Sequence, residues 1–337
     1  MNQPHVMDVF LTVNAEVWPN VPGWPEKVRL EHDDAFIRDL IDVNLQGRTT
    51  AGNFGIDYQI ATLKHWGLRA SYFVEPLASG FYGHNHLRET VGAIVAAGQD
   101  VQLHLHTEWL SDIHDEKLPA SFRQFLHQFD EDEQAALIRW GIQALKNCGV
   151  PHVCAFRAGG CGADVATLRA LTRNGIFIDS SYDPAYAPSN CRLPVDRLRL
   201  QPWQVHGVLE FPVSVFEDYP GHSRHAQLCA CSLAEMTRAL DLAWEQKWHN
   251  FTILLHSFEL VRDRMVPGRQ ARPDWTHIHR FEHLCEFLAA NRSRLRTQVF
   301  SEIVPEKITA CDEVPQIKTG VLRTVSRIAQ QAWTRIS

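Results

Sequence analysis

The 337-residue sequence contains no C-x-x-C pair, no internal repeat and no long apolar run, and it carries no surplus of positive charge. Each absence removes a class of protein. Eight cysteines, of which only Cys229 and Cys231 lie close together, argue against a disulfide scaffold or a thiolate metal clip and read as reduced thiols that fill the core. Nowhere do about 18 apolar residues follow one another, so no membrane span is expected. The opening stretch, MNQPHVMDVFLTVNAEVW, has neither a basic region nor an apolar leader segment, and a cytoplasmic protein is expected. With 33 basic against 39 acidic residues the formal charge is −6, so a nucleic-acid partner is not expected either.

What is present is 45% apolar residues, enough for a large core, arranged as short apolar runs alternating with helix-length segments. That alternation predicts an α/β fold with a largely parallel sheet. Strands are predicted at residues 9–13, 69–74, 101–106, 153–156, 176–178 and 251–255. Helices are predicted at 90–97, 130–147, 166–173, 233–246 and 276–290. Residues 208–216 read as extended, with Pro212 arguing against a regular central strand. No composition break divides residues 1–310, which are expected to form one domain followed by a tail at 311–337.

Ionisable and metal-binding side chains gather at the ends of these strands. Alternation puts Asn14 and Glu16 on the side of Phe10 and Thr12, and His104 and His106 on the face of Gln102. Glu75, Arg157, Asp179 and His256 follow four other strands. The carboxyl ends of strands are where barrel-like α/β enzymes build their sites. A carboxylate with two imidazoles, such as Glu16 with His104 and His106, is a ligand set for a catalytic divalent metal. Arg157 can orient a carboxylate and His256 can serve as general acid toward a leaving group, which together suit metal-assisted hydrolysis of an amide or ester. Two other histidine groups read as non-functional: His84 and His86 in a polar loop, and His277, His279 and His283 along one helix.

Taken in order over residues 6–305, these motifs resemble the polysaccharide deacetylase (NodB-homology, carbohydrate esterase family 4) superfamily. Thr12-Val13-Asn14-Ala15-Glu16 is similar to its first motif, and Asp100 to Trp109 to its histidine motif. Phe156-Arg157-Ala158-Gly159-Gly160 is similar to its arginine motif, Leu254-Leu255-His256 to its last, and Phe211-Pro212-Val213 is matched to the fourth. The resemblance implies a distorted (β/α)7-type barrel, a divalent metal with zinc first among the options, and removal of an N- or O-acyl group from a sugar. It makes Glu16 and His104 ligands and His256 the acid. The third ligand is either His106, which alternation places beside His104, or Glu108, which holds the spacing common in the family. The family's catalytic-base aspartate falls at Asn14, and an amide accepts no proton at neutral pH. Three outcomes follow: Glu75 or Glu108 serves as base, the chain binds a saccharide without hydrolysing it, or the reaction is altered, for instance to hydrolysis of a non-sugar C–N bond.

Further features bear on substrate and partner. Residues 257–275 carry Arg262, Arg264, Arg269 and Arg272, which would grip a phosphate or uronate, as in a nucleotide-linked sugar, unless they pair with Asp263 and Asp274. Trp18 and Trp109 flank the motifs and are candidates for stacking on a sugar. The acylated saccharide expected belongs to surface-polysaccharide building, meaning lipopolysaccharide O-antigen or exopolysaccharide. Residues 318–337 have four basic residues, no acid and a helical stripe through Val321, Val325, Ile328, Ala332 and Ile336. That tail either docks on its own barrel or meets the inner membrane or a polysaccharide-assembly partner.

Overall fold

The computed structural model describes residues 5–18, 34–120, 123–187, 189–264, 270–305, 308 and 314–336. Its main sheet has nine strands: β1 (Met7–Ala15), β2 (Ser71–Val74), β3 (Asp100–Leu105), β4 (Ala155–Ala158), β5 (Ile178–Asp179), β6 (Trp203–Val205), β7 (Val208–Glu210), β8 (Asn250–His256) and β9 (Leu295–Gln298). Their order is β8-β1-β2-β3-β4-β5-β7-β6, and β9 lies along the first half of β1. Every pairing is parallel except that of β6 with β7. The sheet curls into a distorted, incompletely closed (β/α) barrel. Between β7 and β8 the gap is spanned by irregular chain, where Ser214 N donates to Thr252 O at 3.1 Å and Leu254 N to Ala226 O at 2.9 Å. Pro212 accounts for that irregularity: the extended segment breaks after Glu210 and resumes as a hairpin, Val215–Tyr219 against His222–His225.

Strand alternation sorts the core into two parts. Val9, Leu11 and Val13 of β1 join the large cluster under the helices. Phe10 instead points into the barrel, where it meets Phe73, Ile178, Leu209, Phe211 and Phe300. Phe10 and Phe300 stack at 4.9 Å between ring centroids. These rings plug the barrel below the level of Thr12, so everything polar on the inner face of β1 lies above an apolar floor.

Outside the sheet run α1 (Asp34–Ile41), α2 (Ile56–His65), α3 (His84–Ala96), α4 (Glu131–Asn147), α5 (Val165–Arg173), α6 (Leu233–Glu245), α7 (Trp275–Ala290) and α8 (Val321–Ile336). The acids that open α4 form a capping box, Asp130 accepting from Glu133 N and Glu133 from Asp130 N, each at 2.9 Å. α3 begins earlier than predicted, so His84 and His86 lie in its first turn rather than in a loop, with His84 exposed. On α7, His279 is exposed and His283 contacts Glu286 at 3.0 Å. The seven described cysteines are free. No helix among the described residues is long and apolar enough to cross a membrane.

The tail docks by the face opposite to the expected one. Thr324 and Arg327 of α8 are buried, whereas Val321, Leu322, Val325 and Ile328 are exposed. Arg327 pairs with Asp218 and with Glu235, each at 3.1 Å, and Thr324 Oγ1 donates to Asp218 O at 2.9 Å. Both carboxylates are fully buried. An amphipathic helix ordinarily buries its apolar stripe; here a buried ion-pair cluster fixes the orientation. Of the stripe read from sequence, the side chains of Ala332 and Ile336 lie outside the described residues.

Candidate metal centre

Register delivers the site. β1 and β8 pair Asn14 with His256, and β3 and β4 pair His104 with Arg157. Glu16 sits just past the end of β1, and its Oε2 is 2.9 Å from His104 Nε2 and 2.8 Å from His106 Nε2. One ligand atom from each of these buried side chains lies within 4.8 Å of the other two. His256 Nε2 approaches the other oxygen, Oε1, at 3.7 Å.

The protonation pattern tests whether a cation fits. His104 Nδ1 faces Arg157 O at 2.7 Å. A carbonyl only accepts, so Nδ1 carries the hydrogen and Nε2 turns a lone pair toward Glu16. Burial pushes the His104 pKa down, which keeps that ring neutral. Two acceptors at 2.9 Å do not attract each other; they suit an ion between them. His106 reports the negative charge that surrounds it. Burial pushes its pKa down, but the carboxylates of Glu16 and Glu108 on either side outweigh burial and hold it well above the usual imidazole range. Burial likewise raises Glu16, and the charge of His106 leads the contacts that reverse this and hold it well below the usual carboxylate range. His106 Nδ1 donates to Glu108 Oε2 at 3.2 Å, completing a carboxylate–histidine arrangement of the kind that orients metal ligands. Glu108 therefore meets the far side of His106, and His106, not Glu108, joins Glu16 and His104. A β-carbon at Gly159 would lie 2.6 Å from Leu105 O and 2.8 Å from His106 Nδ1, so only glycine lets β4 end this close to the imidazole.

Arg157 is buried and makes four hydrogen bonds, all to neutral groups, leaving one Nη2 hydrogen over. Its Nη1 donates to Asn14 Oδ1 at 2.9 Å and to Thr12 Oγ1 at 3.0 Å, while Nε and Nη2 donate to Ser180 O and Oγ at 2.9 Å. Behind it Asp179 and Glu210, register partners on β5 and β7, are both buried and both pushed up by burial. His256 Nδ1 donates to Glu259 Oε1 at 2.9 Å, and Gln227 donates to the same oxygen. Burial raises the Glu259 pKa, but the His256 contact and Gln227 reverse this and lower it.

These groups open on a cavity of about 410 Å³ lined by Asn14, Glu16, Arg157, Gln227 and His256, with Trp18, Tyr186 and Phe258 as aromatic walls. Trp18 lies against the His106 ring, 4.7 Å between centroids.

Several expected residues stand elsewhere. Trp109 is fully buried against Phe81 and offers no face to a sugar. Glu75 does not line the cavity; its two oxygens accept from Leu77 N and Ala78 N at 2.7 and 2.8 Å, and burial raises its pKa to about 8 despite these bonds. The arginine grip is not assembled. Arg264 turns inward to Trp18 O and Asn44 Oδ1, Arg272 pairs with Asp263 at 2.7 Å, Arg262 does not line the cavity, and Arg269 lies outside the described residues. Sequence reasoning missed Glu259, Gln227 and Tyr186. Only Glu259 had a usable signal, its place three residues after His256.

No protein-family model and no curated protein matches the sequence. Among solved structures the chain is similar to a Mycobacterium smegmatis protein provisionally assigned as a polysaccharide deacetylase, with 15% identity, a TM-score of 0.54, and coverage of 93% of this chain and 97% of that one. It is also similar to a 4-alpha-glucanotransferase from Thermococcus litoralis, with 10% identity, a TM-score of 0.51, and coverage of 90% of this chain and 41% of that one. At these identities the likeness is one of fold alone: a distorted (β/α) barrel like those of both proteins.

Proposed function

We propose that the protein is a divalent-metal-dependent hydrolase that removes an acyl group from a saccharide used in building a surface polysaccharide. The observation that carries this reading is the convergence of two imidazole nitrogens on one Glu16 oxygen, with His256 beside the other. Glu16, His104 and His106 would hold the ion, and a carboxylate with two imidazoles favours zinc or a similar metal. A divalent ion there supplies Lewis-acid polarisation of the acyl carbonyl and activation of a water. His256, its Nδ1 tied to Glu259, faces the cavity through Nε2 and is oriented to protonate the leaving amine or alcohol. Trp18, Tyr186 and Phe258 provide apolar faces for a sugar ring. We place the reaction in the cytoplasm. The test is metal content: wild-type protein should bind zinc or a related ion and His104→Ala should not, and a wild type that takes up no divalent ion sinks the reading.

A second reading is favoured by one specific observation. Position 14 is an amide held by Arg157, and Glu16 is the sole carboxylate lining the cavity among the described residues. The chain would then bind an acylated saccharide without cleaving it. Acetate release from acetylated sugars by metal-loaded protein separates the two.

A further inference from the structure

The cavity is flanked by two guanidiniums, one buried and one half-buried, that have no carboxylate partner among the described residues. Arg157 is 3% exposed, and all its hydrogen-bond acceptors are neutral. The acids behind it are otherwise engaged: Asp179 accepts from the Ser181 hydroxyl, Glu210 from Tyr182 N, and Asp183 pairs with His225 at 3.0 Å. Arg264 lies 3.7 Å over the Phe258 ring and donates to Trp18 O and Asn44 Oδ1, so it backs two of the aromatic walls. No carboxylate stands within ion-pair distance of either arginine among the described residues, and burial lowers both pKa values to about 10. Buried charge without a counter-charge is unfavourable unless something completes it.

Asn14 extends the pattern. Its Oδ1 is taken by Arg157, so the planar amide turns its NH2 away from the guanidinium, and an amide nitrogen only donates. Where an aspartate would bring acceptors and negative charge to the cavity floor, this chain brings donors. The one carboxylate that lines the cavity among the described residues, Glu16, turns to the imidazoles. An ion held there adds further positive charge.

We infer that the substrate is an acidic saccharide, whose carboxylate or phosphate sits against the Asn14 amide and the Arg157 guanidinium. This rests on the saccharide reading above and narrows its substrate class. The anion supplies the negative charge that position 14 lacks, and Asn14 selects for it because a carboxylate at 14 would repel it.

Calorimetric titration of the full-length protein with N-acetylglucosamine, its C6-uronate and its 6-phosphate tests this, each with and without chelator. Both acidic probes, or one of them, should bind at least about 10-fold tighter than the neutral sugar, the worth of one hydrogen bond to a charged group. Which acid binds tighter identifies the anion. The preference should survive chelation, vanish in Asn14→Asp and shrink in Asn14→Ala, which removes the donor without adding charge. Equal affinity for neutral and acidic sugars overturns the inference and leaves the deacylase reading standing. A preference that disappears with chelator yet persists in Asn14→Asp belongs to the metal and also overturns it. Binding of none of the three sugars counts against both.

Discussion

Replacing Asn14 with aspartate asks whether this site lacks only its base. The change is isosteric and leaves an oxygen 2.9 Å from Arg157 Nη1, turning a neutral hydrogen bond into an ion pair with a buried guanidinium. Such a neighbour lowers a carboxyl pKa by ~1–3 units. Burial at a position only 6% exposed pulls the other way, so the new group is ionised at neutral pH mainly because Arg157 is there. Its second oxygen, turned toward the cavity as the amide nitrogen is now, is free to take a proton from water. A positioned general base is worth ~10²–10⁴-fold in rate. That corresponds to ~3–5 kcal/mol of barrier. The assay is acetate release from a neutral N-acetylated saccharide by metal-loaded wild type and Asn14→Asp, with metal content and thermal melting recorded on the same samples. A gain in that range, lost again when Arg157→Gln is added, is the expected result. Equal rates with metal content and melting unchanged would refute the reasoning, because position 14 would then have no part in proton transfer.

Glu259→Gln removes the charge that orients His256, and activity should drop by about 10²-fold while metal content stays constant; unchanged kcat would remove His256 from the role of acid. Glu75 makes a pH prediction. Its carboxyl is raised to about 8 by burial, whereas an unperturbed one titrates near 4.5, so the folded state keeps a proton that the unfolded chain releases. Stability from this group is therefore full below the lower value and is lost as pH rises through the upper one. Glu75→Gln should flatten the Tm–pH profile between them, with its largest relative gain at alkaline pH and a constant penalty from the lost Ala78 N–H bond; a parallel profile refutes this. Arg327→Met leaves the buried Glu235 without its cation while Asp218 keeps Arg224 and His222, and should lower unfolding free energy in urea by ~3–5 kcal/mol. A loss under about 1 kcal/mol would mean that the cluster behaves like a surface pair.

Much of the barrel was legible because alternation is a local property. Phe10, Thr12, Asn14 and Glu16 share one face by strand geometry alone, and His104 and His106 share another. The order of strands then brings these faces together. What failed depends on contacts that alternation does not describe. Trp109 looks like a rim residue because it follows the histidine motif, yet the turn after β3 (Thr107–Asp112) folds it onto Phe81. Glu75 stands at a strand end like the functional residues, but the chain turns back at once and its carboxyl closes that turn. Of the arginines after β8, Arg272 pairs with Asp263, an alternative already open in the sequence, whereas Arg264 is drawn off by Asn44 from a distant segment. α8 shows the limit of periodicity most plainly, since a hydrophobic stripe says which residues share a face and not that the face is buried.

That helix also sets an order of assembly. Asp218 and Glu235 precede Arg327 by 109 and 92 residues, so a chain made from its amino end completes both buried acids long before their cation exists. Asp218 meanwhile has Arg224 at 2.5 Å and His222 at 2.6 Å. Among the described residues outside α8, Glu235 has only the Ser232 N–H and hydroxyl, each at 2.8 Å. The start of α6 and the hairpin before it therefore reach their final packing late in synthesis, when α8 arrives. A chain stopped at residue 326 should leave this corner, and not the metal-ligand strands, open to protease.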